Sequence, residues 1–145
     1  KFFKNEKKFP IPIICAGNIY VGGTGKTPVS ALLYDQLVVR GFKPAILIRG
    51  YGGSVTQPLW VDHRIQSANE VGDEALMLNE SRDVLVARDR VAGANAIATN
   101  GTHDVIIMDD GLQHPYIAKD FSIGLVTSNS LFSELKPGAS VCITT

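Results

Sequence analysis

Six residues confine this chain to few architectures: Gly22-Gly23-Thr24-Gly25-Lys26-Thr27, set between an apolar run and a helical pattern. Gly22, Gly23 and Gly25 leave main-chain N–H groups unobstructed by β-carbons, so such a loop closes around a polyanion. The run before it, residues 11–16, reads as a buried strand, with Pro12 tolerated only near its start. After it, residues 25–40 read as a helix whose apolar stripe is Val29, Leu32, Leu33 and Leu37. Pro28 suits the first helical turn, where a missing N–H has no partner to lose. A strand feeding a glycine loop and then a helix aims the positive end of the helix at a phosphate chain. In such a loop Lys26 reaches the β- and γ-phosphate oxygens and the Thr27 hydroxyl ligates Mg²⁺. The usual spacing has another glycine at position 20, where this chain has Tyr20.

The remaining pattern alternates strands with helices. Gly41 ends the first helix and residues 44–48 form the next strand. Residues 49–66 read as a long polar loop opened by Arg49-Gly50-Tyr51-Gly52-Gly53. A short helix over residues 73–81, a strand over 84–87 and a helix over 90–99, closed by Asn100-Gly101, come next. Val105-Ile106-Ile107-Met108 is an uninterrupted apolar run, as in strands buried on both faces of a parallel sheet. Residues 121–126 and 141–144 read as weaker strands. The expected fold is α/β, a doubly wound, mainly parallel sheet with helices on both faces.

At 145 residues the chain fits one domain, read as residues 10–145 behind a basic and aromatic segment, residues 1–9. In that segment Lys1, Lys4, Lys7 and Lys8 surround Phe2, Phe3 and Phe9, a composition suited either to a membrane surface or to plain solvation. Fourteen basic residues balance fourteen acidic ones, so no overall field favours nucleic acid. No apolar run approaches the roughly 20 residues needed to span a bilayer. Cys15 and Cys142 sit in apolar strand-like runs without metal-ligand spacing and read as reduced core cysteines.

Three further segments carry chemistry. Asp109-Asp110 ends the buried strand, at the sheet edge where ligands of open α/β folds sit. A strand-end Asp beside a phosphate loop holds Mg²⁺, directly or through water. In Val71-Gly72-Asp73-Glu74, Asp73 has two readings: a helix cap, or a carboxylate that accepts the proton of an acceptor alcohol. Arg49, Arg88 and Arg90 are either phosphate contacts or surface ion-pair partners. His63, His103 and His114 have no mutual spacing that suggests a metal, and His114 gains weight only from its place after Asp109-Asp110-Gly111-Leu112-Gln113.

Taken in order, residues 17–28, Arg49-Gly50-Tyr51-Gly52-Gly53, Val71-Gly72-Asp73-Glu74, Ala87-Arg88-Asp89-Arg90 and Asp109-Asp110-Gly111-Leu112-Gln113-His114 resemble the tetraacyldisaccharide 4′-kinase family over residues 10–125. The resemblance implies a P-loop lipid kinase of the lipid A pathway of Gram-negative bacteria. It would transfer the γ-phosphate of ATP to the 4′-hydroxyl of tetraacyldisaccharide 1-phosphate at the cytoplasmic face of the inner membrane. By that resemblance Asp73 falls on the catalytic carboxylate, and Lys26 serves the transferred phosphate. Gly22, Gly23, Thr24, Gly25, Lys26, Thr27 and Pro28 form the ATP loop, and Thr27, Glu74 and Asp109 the Mg²⁺ site. Asp110, Gln113 and Arg90 lie near the lipid headgroup.

The family continues with a Leu-Pro-Ala-Gly-Pro-Leu-Arg loop that residues 128–137 lack, and with a second α/β domain supplying an assisting histidine. In the family an N-terminal membrane-associated helix comes first, and residues 1–9 resemble the segment just after that helix. The stretch is therefore expected to be a fragment or a degenerate copy of such a kinase, inactive alone. Two other readings of the loop stay open. One is a nucleotide-switch ATPase or GTPase of the partition or metal-delivery type, although Val21 stands where partition ATPases carry Lys. The other is a non-catalytic nucleotide-binding module.

Overall fold

The computed structural model describes residues 6–18, 26–109, 117–127 and 140–144. Strand β1 (Ile13–Asn18) leads towards helix α1 (Lys26–Val39), which returns the chain to β2 (Pro44–Ile48). A two-residue strand β3 (Leu59–Trp60) and the short helices α2 (Ala68–Val71) and α3 (Asp73–Asn79) precede β4 (Val84–Val86). Helix α4 (Arg90–Thr99) then crosses to β5 (Val105–Asp109), followed by β6 (Phe121–Thr127) and β7 (Ser140–Thr144). The described residues build a seven-stranded sheet in the order β3-β4-β2-β5-β1-β6-β7. Every pairing is parallel except β3 with β4.

Period-two geometry sends successive side chains of a strand to opposite faces, and here each face has its own core. Ala45 and Leu47 of β2 join Cys15, Leu85, Ile106 and Met108 under Ala94 and Ile97 of α4. Ile46 and Ile48 join Val84, Val86 and Ile107 under Tyr34 of α1 and Ala75 and Leu78 of α3. Helices therefore cover both faces, and β2 and β5 are buried at every position, which explains their unbroken apolar runs. Cys15 is fully buried in the core, while the side chain of Cys142 lies outside the described residues.

Helix α1 stops as its glycine predicts. Gly41 adopts φ 89°, its N–H donates to Val38 O at 3.0 Å, and Phe42 N donates to Leu37 O at 3.0 Å. The expected stripe on α1 is only partly right. Leu32 is 59% exposed, whereas Ser30 and Tyr34 are buried against the sheet. The face was set by where α1 meets β5 and β2, a tertiary relation that local apolar spacing misses. The expected loop 49–66 likewise contains β3, and α2 lies where no helix is expected.

Residues 7–9 already belong to the packed domain. Lys7 bridges to Ile117, its Nζ lies 5.2 Å from the centroid of the Phe9 ring, and Phe9 is buried in the α4-side core. Among the described residues no helix is long and apolar enough to cross a membrane.

Candidate functional site

Four parallel strands, β1, β2, β4 and β5, end on one edge, so the segments that leave them share that edge. At its centre Asp109, the last residue of β5, stands in register with Ala16 of β1, two residues before β1 ends on the way to the glycine loop. Asp109 is 1% exposed and accepts a 2.6 Å hydrogen bond from Ser30 Oγ, itself fully buried on α1. That length belongs to a hydroxyl donating to a charged oxygen. The bond ties the strand carboxylate to the helix one turn beyond Thr27. Ser30 is the site residue that sequence reading missed. Its only signal is a hydroxyl three residues after Thr27, on a helix face that strand order alone identifies.

Lys26, Thr27 and Pro28 open α1, with side chains outside the described residues. Residues 22–25 of the loop, and Asp110, Gln113 and His114, also lie outside them.

Three of the sequence segments prove to be one surface. Gly72 adopts φ 92° and ψ 154°, and a β-carbon there would lie 2.6 Å from the carbonyl oxygen of Tyr51. Gly53 is as close to the Glu70 carbonyl, at 2.5 Å from an added β-carbon. Ser54 N donates to Asn69 O at 2.9 Å and Val55 N to Glu70 O at 3.1 Å, which stitches the residue 49–55 loop onto α2. Arg88 Nη2, just past β4, donates to Gly53 O at 2.9 Å. Together Arg49, Gly50, Tyr51, Gly52, Gly53 and Arg88 line an open cavity of about 240 Å³. Both arginines are exposed there, and the Tyr51 ring is 85% exposed.

Asp73 is the first residue of α3 and is exposed; Gly72 occupies the cap position, and no side-chain cap bond forms. The cap reading of Asp73 therefore fails. The real N-cap of this kind is Asp89, whose Oδ1 accepts from Ala92 N at 3.0 Å at the start of α4. Glu74 is exposed beside Asp73, and Arg90 is 6% exposed at the first position of α4. Among the described residues no three His, Cys, Asp or Glu side chains gather into a metal cluster. His63 and His103 are spent locally: His63 Nδ1 lies 3.0 Å from Asn79 Oδ1, and His103 Nε2 2.8 Å from Asp83 Oδ2.

Residues 1–136 match the family model LpxK, Tetraacyldisaccharide-1-P 4′-kinase. The chain belongs to this kinase family. It is 50% identical over 116 residues to the tetraacyldisaccharide 4′-kinase of Methylobacterium sp. (strain 4-46), covering 80% of this chain and 35% of that protein. To the tetraacyldisaccharide 4′-kinase of Jannaschia sp. (strain CCS1) it is 47% identical over 116 residues, with 80% and 35% covered. The structure also resembles a crystal structure of LpxK from Aquifex aeolicus in complex with ATP. The TM-score is 0.84 at 28% identity, with 99% of this chain and 50% of that chain covered. The fold is thus that of the 4′-kinase family, and the chain spans about a third of the length of the curated relatives it matches.

Proposed function

We propose that this chain is the nucleotide-binding part of an ATP-dependent kinase acting on the 4′-hydroxyl of tetraacyldisaccharide 1-phosphate. One observation carries the reading: a buried strand-end carboxylate, Asp109, stands in register beside the strand that feeds the glycine loop and is bonded to the helix beyond that loop. Family membership supplies the reaction class, because the relatives are named for it.

In this reading the main chain of Gly22, Gly23, Thr24 and Gly25 and the N-terminus of α1 at Lys26, Thr27 and Pro28 cradle the ATP phosphates. Lys26 offsets charge on the γ-phosphoryl group in transfer. The donor set fits Mg²⁺, which is held by one or two carboxylates together with substrate phosphates rather than by a protein-only cage. Asp109, Glu74 and the Thr27 hydroxyl would hold it. When bound, the ion neutralises charge on the β- and γ-phosphate oxygens.

Asp73 accepts the proton of the 4′-hydroxyl as its oxygen bonds to the γ-phosphorus and the bond to the leaving ADP oxygen breaks. Its exposure and lack of a capping bond leave it available for that role. Arg90, Gln113 and Asp110 attend the lipid headgroup. The lysines of residues 1–9 lie at the anionic surface from which the lipid is taken, the cytoplasmic face of the bacterial inner membrane.

The test is the acceptor dependence of ATP turnover by the natural full-length protein carrying these residues. Turnover that requires tetraacyldisaccharide 1-phosphate supports the kinase. Equal turnover without lipid would instead point to a nucleotide switch.

A further inference from the structure

A fully buried serine on the sheet-facing side of a helix needs a reason. Its neighbours on that face, Ala31, Leu33, Tyr34 and Leu37, pack into an apolar core, where an aliphatic side chain would bury more apolar area. A serine hydroxyl in a helix ordinarily returns its proton to a main-chain carbonyl one turn back. Here Ser30 Oγ reaches instead across to Asp109 Oδ1 at 2.6 Å, 79 residues away in the chain.

We propose that Ser30 is a positioning residue for the Asp109 carboxylate, holding it in the orientation in which it serves the divalent cation of the phosphate site. The proposal rests on the reading of Asp109 as a cation ligand. The hydroxyl has one proton and both groups are buried, with Ser30 0% and Asp109 1% exposed, so the bond fixes the carboxylate about its own strand. The donor comes from the helix whose first turn contains Thr27. The bond therefore ties the strand that carries Asp109 to α1. Outer hydrogen bonds of this kind orient ligating carboxylates, and losing one weakens metal binding.

The experiment uses the natural full-length protein, with Mn²⁺ as the probe read by electron paramagnetic resonance in the presence of a non-hydrolysable ATP analogue. Ser30→Ala is expected to weaken Mn²⁺ binding about tenfold. Its affinity for the analogue without cation, and its KM for the lipid, should stay at the wild-type level. At limiting Mg²⁺ its kcat should fall, and excess Mg²⁺ should restore it. Ser30→Thr, which keeps the hydroxyl, should recover most of the Mn²⁺ affinity. A bond that merely compensates burial would lower thermal stability and leave these readouts unmoved. Wild-type Mn²⁺ affinity in Ser30→Ala, with Asp109→Asn still weakened, would overturn the role of Ser30 alone. Wild-type affinity in Asp109→Asn as well would overturn the reading of Asp109 and this proposal with it. Should Ser30→Ala fail to fold, Ser30→Cys keeps the size with a poorer donor; wild-type Mn²⁺ affinity there would equally overturn it.

Discussion

The backbone of Gly72 lies against the carbonyl of Tyr51 so closely that an added β-carbon would sit 2.6 Å from that oxygen. Gly72 also holds φ 92° and ψ 154°, a region essentially restricted to glycine. This contact places Asp73, the next residue, beside the loop that carries Arg49. Gly72→Ala is therefore expected to cost about 1–3 kcal/mol of stability from the backbone alone, and to lower turnover by displacing Asp73. Urea midpoints and kcat measured on the same variant check both parts. Unchanged midpoints would show that the loop and helix yield freely.

Asp73→Asn separates chemistry from architecture. The side chain makes no cap bond at the start of α3, so thermal stability should stay near wild type. Loss of a general base removes about 10²–10⁴ in rate, and the full-length variant should show that loss with nearly unchanged ATP affinity. A clear drop in melting temperature with near-normal turnover would return Asp73 to a structural role.

The buried strand 105–109 and the ends of α1 and α4 were legible because each rests on local chemistry. Gly41 and Gly101 take positive φ where a helix must stop, and an unbroken apolar run reports burial on both faces. Ser30 was not legible. Val29-Ser30-Ala31 reads as ordinary helix, and its importance comes from β5 lying between β1 and β2, which no local pattern encodes. Strand β3 was missed because Leu59 and Trp60 pair with Leu85 and Val86, a non-local match inside a polar segment. The joining of residues 49–53 with 70–72 and 88 depends on glycine approaches visible only in three dimensions.

Tyr34 links α1 to the turn before β4, its hydroxyl oxygen accepting from Asp83 N at 3.0 Å. Tyr34→Phe should cost about 1 kcal/mol at neutral pH. Burial pushes the Tyr34 phenol above its ordinary value, outweighing the Asp83 N–H that favours the phenolate. The fold thus favours the protonated phenol. That contribution is complete below the unfolded value of about 10 and is lost as pH rises through the folded one. Urea midpoints taken from pH 8 upward should fall more steeply in alkali for the wild type than for Tyr34→Phe. Parallel curves would contradict the assignment.

Lys26 is the first residue of α1, and the proposed reading sets it against the ATP phosphates. Lys26→Ala should weaken Mg-ATP binding by about 1.5–3 kcal/mol, the worth of a hydrogen bond to a charged group. Calorimetric titration of wild type and variant measures it. Equal affinities would mean that the loop does not hold the nucleotide.

Kinase activity is tested most directly by tracking γ-labelled phosphate from ATP into tetraacyldisaccharide 1-phosphate in detergent micelles, using the natural full-length protein and its Asp73→Asn variant. The predicted result is label on the 4′-oxygen of the lipid with the wild type, and a loss of that transfer in the variant while ATP still binds. ATP bound by the wild type with no label reaching the lipid would contradict the kinase reading.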